Sequence, residues 1–228
     1  MSTTKKSSNS VKFYFGEESL VEQDVRNMEL TRACRAFAFL KNKIGSDAMI
    51  TLMKEELDSA TVQAEKWADD SNGEWKSGFV VIEMPKVRAE QFHNWFTGMV
   101  KRGDESALRA AHPDHYCNRM LPDGRVEVVE NFGEFEYPWH FFLNLTAIDS
   151  TMPVPADKDY PIGFAAIIKS KNGKLIAYAL HELRDCKDGM QAKLTAIIPK
   201  TAPDTLVRGH LNHFSIEFRN WYLAMSAE

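Results

Sequence analysis

Apolar residues in the N-terminal third of the chain recur every three or four positions, as they do along one face of a helix. This spacing predicts helices from about residue 18 to residue 69, with a break at Gly45. We expect a disordered tail over residues 1–16 and a helical segment over 17–72 that forms an N-terminal layer or a dimerisation surface. The stripe consists of Leu30, Ala33, Phe37 and Leu40 before the break and of Ile50, Met53, Leu57 and Val62 after it.

The pattern changes after the turn sequence DDSNG. GFVVIEM at 78–84 predicts a strand that Pro85 ends, and AEQFHNWFTGMV predicts an amphipathic helix. Further strands are predicted where β-branched and aromatic residues cluster, and the Asn-Gly of SKNGK predicts a hairpin between two of them. Short connections favour an antiparallel sheet. The five runs are RVEVVENF, WHFFLNLTAI, IGFAAIIKS, KLIAYALHEL and QAKLTAII.

One long helix is predicted to close the chain, with Pro203 in its first turn. Its broad apolar stripe must cover the sheet. An antiparallel sheet wrapped on a long C-terminal helix is an α+β helix-grip arrangement, which we expect over residues 73–228 and which commonly encloses a ligand cavity. The stripe consists of Leu206, Val207, Leu211, Phe214, Phe218, Trp221, Tyr222 and Met225.

Composition excludes several classes of partner. The net charge of −4, with both signs interspersed, provides no basic surface for nucleic acid. No stretch approaches the roughly 18 apolar residues of a membrane span, and the polar N-terminus does not resemble a signal peptide, so we expect a cytoplasmic protein.

The cysteines are too few for a disulfide framework, and buried free thiols are expected. The alternative for Cys117, which is near His115, is a role as a nucleophile.

The C-terminal helix carries a polar pair beside its aromatic stripe. His213 and Glu217 are four residues apart, which places both side chains on one helical face, and His210 shares part of that face. The pair is either a polar edge of the helix or half of a metal site. Because polar groups near an apolar face need a partner to offset their desolvation, a metal site requires further ligands from elsewhere.

A second histidine-rich stretch, AHPDHYCNRM, supplies such a partner. Pro113 would fix a loop that presents His112 or His115 to the helix. Two histidines and two carboxylates suit Zn²⁺, with the fourth ligand drawn from an acidic residue near the next strand. The residues leave that ligand open among Glu127, Glu130, Glu134 and Glu136, although strand alternation places the even-numbered ones on one face.

Four segments, taken together and in order, resemble the 2,4-diacetylphloroglucinol hydrolase and phloretin hydrolase family. They are IEMPKVRAEQFHNWF, AHPDH, VVENFG and HFSIEFRNW, within residues 79–225. The resemblance implies a zinc-dependent hydrolase on a helix-grip (Bet v 1-like) fold that cleaves the carbon–carbon bond between an aromatic ring and an acyl group. The substrate would be a phloroglucinol- or polyketide-like small molecule.

The resemblance also implies a set of site residues. His115, Glu130, His213 and Glu217 match the family's zinc ligands, and Asn118 matches a substrate-binding asparagine. The chain has HP-x-H where the family has HP-x-x-H, so the choice between the two loop histidines stays open. A substrate-binding tyrosine of the family is absent before the loop, where this chain has SALRAA. Two other interpretations therefore stay open: a zinc-dependent lyase, cyclase or isomerase, and a metal-free carrier.

Cleavage of an aryl ketone also needs a group that transfers a proton. Glu134 and His210 are the leading candidates for this role, ahead of Glu136 and His140. Tyr116, like Tyr137 or Tyr178, would hydrogen-bond a phenolic oxygen of the substrate. The cavity walls are expected to be aromatic and to include Phe132, Phe135, Trp139, Phe141 and Phe142, whereas His93 and His181 have no partner pattern and are interpreted as structural or surface residues.

Overall fold

The computed structural model describes residues 11–227 and divides the chain into two compact units, one up to Lys43 and one from Ile44 onwards. The first unit contains a short antiparallel hairpin of β1 (Phe13–Phe15) and β2 (Glu18–Leu20), followed by all but the last residue of helix α1 (Glu22–Ile44). The expected helix is confirmed. Residues 1–10 of the expected tail lie outside the described residues, whereas residues 13–15 form a strand instead of tail.

The expected boundary near residue 72 is wrong. Helices α2 (Ser46–Leu52) and α3 (Lys54–Asp70) belong to the same compact unit as the sheet, because α3 buries Leu57, Ala60 and Ala64 in the cores of that unit. The helix break lies at Gly45, as predicted, where the backbone adopts a φ of 78°. The second unit therefore contains a helical layer that the sequence pattern assigned to a separate segment.

A seven-stranded antiparallel sheet forms the body of the second unit, in the order β3-β9-β8-β7-β6-β5-β4. The predicted strands and the SKNGK hairpin are confirmed, with Gly173 at a φ of 89°. One strand of this sheet, β4, was not predicted. The sequence analysis placed His115 in a loop, but His115 begins β4 and only the residues before it form a loop. The strands are β3 (Trp75–Pro85), β4 (His115–Met120), β5 (Val126–Glu130), β6 (Trp139–Thr146), β7 (Ile162–Ser170), β8 (Leu175–Cys186) and β9 (Gly189–Pro199).

Three further helices complete the unit: α4 (Ala89–Arg102), α5 (Glu105–Ala110) and α6 (Asp204–Met225). Helix α6 buries its aromatic stripe, with Phe214, Phe218 and Trp221 each at most 4% exposed. The fold is thus the α+β helix-grip arrangement that the sequence predicted. Within the described residues, no helix combines the length and the hydropathy of a membrane span.

Candidate metal centre

Four buried side chains from three elements converge on the inner face of the sheet. His115 from β4 is 0% exposed, His213 from α6 is 4% exposed, and Glu130 and Glu217 are each 6% exposed. His115 Nε2 lies 3.0 Å from His213 Nε2, 3.3 Å from Glu130 Oε2 and 3.4 Å from Glu217 Oε1. The fourth separation, from His213 Nε2 to Glu130 Oε2, is 3.6 Å.

His115, Glu130 and His213 place their ligand atoms within 4.8 Å of one another, close enough to hold one small cation, and Glu217 approaches the His115 nitrogen of this set at 3.4 Å. Zinc bonds of about 2.0–2.2 Å place neighbouring atoms of a tetrahedron about 3.3–3.6 Å apart, close to the observed 3.0–3.6 Å. His115 Nδ1 lies 2.9 Å from the carbonyl oxygen of Leu108. A proton on Nδ1 donated to this carbonyl would leave the Nε2 lone pair directed at the cluster, which is the usual support of a metal-binding histidine.

A β-bulge turns His115 toward the cluster. His115 pairs with Glu130 and Cys117 pairs with Val129, so the pairing register shifts between the two residues and Tyr116 is the extra residue. Regular alternation would place His115 and Cys117 on one face, but the bulge directs them to opposite faces. The same shift brings Asn118, opposite Val128, onto the face of His115.

Two glycines bring the end of β5 close to α6. The connection after Glu130 passes Gly133, at a φ of 63°, where an added Cβ would lie 2.4 Å from the Leu206 carbonyl oxygen. An added Cβ on Gly209 would lie 2.5 Å from the backbone nitrogen of Glu134. Direct backbone contact at these positions holds the Glu130 strand beside the helix that carries His213.

Burial and mutual charge perturb the ionisation of the cluster. Burial by itself lowers the pKa of His115, but the hydrogen bond and charge of Glu130 and the charge of Glu217 outweigh it and raise that pKa. Burial raises the pKa of Glu217 and lowers that of His213 well below the usual histidine value. These shifts favour the uncharged forms of Glu217 and His213 in the metal-free protein, so an ion that binds there must displace a proton from Glu217.

The two loop histidines occupy different places. Within residues 11–227, a second set of potential ligands consists of His112, Asp114 and His213. The His112 ring stacks on that of His213 at 3.9 Å, and its Nδ1 accepts a hydrogen bond from the Asp114 backbone nitrogen at 3.0 Å. His115 is the one whose Nε2 faces both glutamates, which favours it as the ligand.

The other acidic candidates lie away from the cluster. Glu127 is on the opposite face of β5, where Arg119 and His140 each donate to it at 2.8 Å. Glu134 and Glu136 lie in the connection between β5 and β6 and are exposed. The prediction of Glu134 as a proton-transfer residue of the cavity therefore does not match its position.

An apolar cavity adjoins the cluster. Asn118, Glu130, His210 and Glu217 line it, as do aromatic residues such as Phe141. Tyr116 instead lies with Leu57, Cys117 and Val129 on the other face of the strands, and Trp139 is buried against Phe132 at 4.6 Å without lining the cavity, so neither is placed to bind a ligand as predicted. Burial raises the pKa of the Cys117 thiol to about 12, which disfavours a nucleophilic thiolate.

His181 is the cavity residue that the sequence interpretation missed. It lies on β8 and lines the cavity, and it was expected to be structural or on the surface because no neighbouring residue in the sequence forms a pattern with it. Only strand alternation could have indicated its inward direction, since Ala179 and His181 both line the cavity.

The cavity next to the cluster is small, about 70 Å³, and a groove of about 430 Å³ adjoins it. Four residues line both spaces, namely Phe96, Val100, Leu145 and Phe164. The groove therefore continues the cavity at these four side chains.

Comparison with known proteins yields likenesses of fold alone. No family model matches the chain, and no curated protein matches it. Among solved structures, Ara h 8.0201 shares 12% identity over 68% of this chain and 100% of its own, with a TM-score of 0.45. An uncharacterized protein from Rhizobium leguminosarum shares 13% identity over 68% of this chain and 98% of its own, with a TM-score of 0.41. XoxI from Bacillus cereus shares 12% identity over 66% of this chain and 94% of its own, with a TM-score of 0.35.

Proposed function

We propose that this protein is a zinc-dependent hydrolase that cleaves the carbon–carbon bond between a hydroxylated aromatic ring and an acyl group. The convergence of His115, Glu130, His213 and Glu217 beside an apolar cavity is the observation that carries the proposal. The donor set of two imidazoles and two carboxylates suits zinc. A zinc ion held there would supply Lewis-acid activation of a carbonyl group or of water.

The cavity walls determine what kind of substrate is compatible with this site. Apolar and aromatic side chains such as Phe141 and Phe214 would hold an aromatic ring and exclude bulk water from it. The small volume favours a single-ring acyl phenol over a polycyclic polyketide. Asn118 would orient the substrate through its amide, which can both donate and accept hydrogen bonds.

The reaction consumes one water molecule and requires two transfers. A hydroxyl group goes to the acyl carbon, which leaves as a carboxylic acid, and a proton goes to the ring carbon. Of the two leading proton-transfer candidates, His210 is the one that lines the cavity. Burial and the nearby charge of His115 lower the pKa of His210 to about 3, so its imidazole is uncharged. In this proposal the proton that water loses reaches the ring carbon through this imidazole, whose low pKa makes its protonated form a strong acid toward that carbon.

Incubation of the zinc-loaded protein with 2,4,6-trihydroxyacetophenone tests the proposal. We expect release of acetic acid and phloroglucinol by the wild type, loss of this activity after zinc removal, and its absence in His213→Ala. Zinc-dependent conversion without acetic acid would contradict hydrolysis and favour a lyase, cyclase or isomerase, the alternative motivated by the missing family tyrosine. Binding without any conversion would favour a carrier.

A further inference from the structure

His181 projects from the middle of β8 into the cavity among aromatic rings. Phe164, Phe214 and Phe218 surround it at centroid distances of 4.9, 5.3 and 5.0 Å, with each ring nearly perpendicular to the imidazole. These contacts are those of a core side chain. A purely structural residue in such a place would be apolar, because an imidazole adds two polar atoms that must be desolvated.

Both ring nitrogens of His181 are buried and lack a hydrogen-bond partner among the described residues. An N–H directed at the face of a phenylalanine would be partly compensated, but the second nitrogen would still be a buried acceptor without a donor. Burial, and then the neighbouring His210, lower the pKa of His181 to about 3. The ring is therefore uncharged and offers one donor and one acceptor, a combination that matches a hydroxyl group.

The cavity has two polar regions, one at His181 and one at the metal cluster. Glu130 lies on β5, and strands β6 and β7 stand between β5 and β8 in the sheet. Phe214 contacts both His181, at 5.3 Å, and His210, at 4.4 Å, so an aromatic side chain lies beside both imidazoles. A ligand that satisfies both regions must carry polar groups on opposite sides of an apolar body.

We propose that His181 is a specificity-determining residue that hydrogen-bonds a ring hydroxyl of the substrate while the acyl carbonyl lies at the cluster, beside Glu130 and Glu217. This inference rests on the proposed function and defines its substrate class more closely. The preferred ligands are neutral acyl aromatics with a hydroxyl group remote from the acyl substituent. Rings without that hydroxyl leave the His181 nitrogens unsatisfied and bind more weakly.

Calorimetric titration with 2,4,6-trihydroxyacetophenone and with acetophenone tests the role of His181. Because one such hydrogen bond is worth about 1 kcal/mol, we expect the wild type to bind the hydroxylated ligand at least about fivefold more tightly. His181→Phe removes the hydrogen-bonding nitrogens and should abolish this preference. His181→Gln retains a donor and an acceptor and should keep part of it.

His93→Phe is the matched control. Its ring lies 6.1 Å from that of Phe164, which also contacts His181, but His93 does not line the cavity. This variant should keep the wild-type preference. A full preference in correctly folded His181→Phe would overturn the inference, as would failure of the wild type to prefer the hydroxylated ligand.

The titrations are run on the zinc-loaded and the zinc-free protein, which separates this inference from the proposed function. A preference that depends on His181 in both forms, without any acid release, would support the hydroxyl-binding role and reject the hydrolase. Acid release together with equal affinity for the two ligands would support the hydrolase and reject the hydroxyl-binding role of His181.

Discussion

His115 Nε2 lies 3.0 Å from His213 Nε2, although the two residues are 98 positions apart in the chain. Two imidazole nitrogens at this distance share either a proton or a metal ion. The carboxylates of Glu130 and Glu217, each within 3.4 Å of the same His115 nitrogen, make a cation the better match. The pair joins the start of β4 to the middle of α6 and is the centre of the candidate site.

Replacement of Glu217 by glutamine should weaken zinc binding, because glutamine keeps the shape of the side chain but removes the negative charge of one ligand. The loss of affinity should exceed the roughly 10- to 100-fold that follows removal of a group that merely supports a ligand. Glu134→Gln makes the same chemical change on an exposed carboxylate and should leave affinity unchanged. Competition with a fluorescent chelator measures both, and equal affinities for the two variants would argue against Glu217 as a ligand.

Zinc affinity should rise with pH. Burial raises the pKa of Glu217 to about 8 in the metal-free protein, so this carboxyl group holds a proton at neutral pH that must leave when the ion binds. Affinity should therefore increase between pH 6 and pH 8, by about tenfold per pH unit for each proton displaced. Titrations in buffers of different ionisation enthalpy would detect the released protons. Affinity that is independent of pH would contradict this linkage.

His181 should make the protein sensitive to acid. Its pKa is lowered from 6.5 to about 3 when folded, so the unfolded chain binds a proton below about pH 6.5 that the folded chain does not. The free energy of unfolding should fall as the pH drops through this range. His181→Phe removes the contribution, and its urea midpoint should change less between pH 7.5 and pH 5 than those of the wild type and His93→Phe. Identical pH dependence in all three would refute the expectation.

Gly209→Ala should destabilise the second unit and weaken zinc binding. The added methyl group would lie 2.5 Å from the Glu134 nitrogen, so the connection after β5 must move away from α6 and take Glu130 with it. Overpacking of this kind costs about 1–3 kcal/mol. Gly98→Ala, whose nearest contact is the flexible end of Arg102 at 3.3 Å, should be neutral or slightly stabilising. Thermal unfolding compares the two, and equal melting temperatures would count against close backbone packing at Gly209.

Local patterns in the sequence predicted most of the helices and strands and half of the cluster. The prediction of His213 and Glu217 depends only on helical spacing, and strand alternation places Glu130 and Glu127 on opposite faces. The orientation of His115 depends on a bulge, which alternation does not predict. The resemblance to a known family pointed to this histidine, whereas its geometry comes from the fold.

The errors have a common physical origin. Whether a residue reaches the cavity depends on which face of a strand it occupies and on where that strand ends. Tyr116 is directed to the outer face by the bulge, and Glu134 lies beyond the end of β5. His181 was missed because the aromatic rings that surround it belong to residues that are distant in the sequence, and its neighbours in the chain form no pattern with it. The domain boundary was misplaced because the apolar face of α3 packs into cores that are distant in sequence.

The zinc content of the purified protein is the sharpest test of the proposed metal centre. Elemental analysis of the wild type, His115→Ala, His213→Ala and the control His93→Ala should give about one zinc per chain in the wild type and the control, and none in the two cluster variants. Zinc that is absent from the folded wild type and is not taken up on addition would contradict the account, as would zinc retained in both cluster variants.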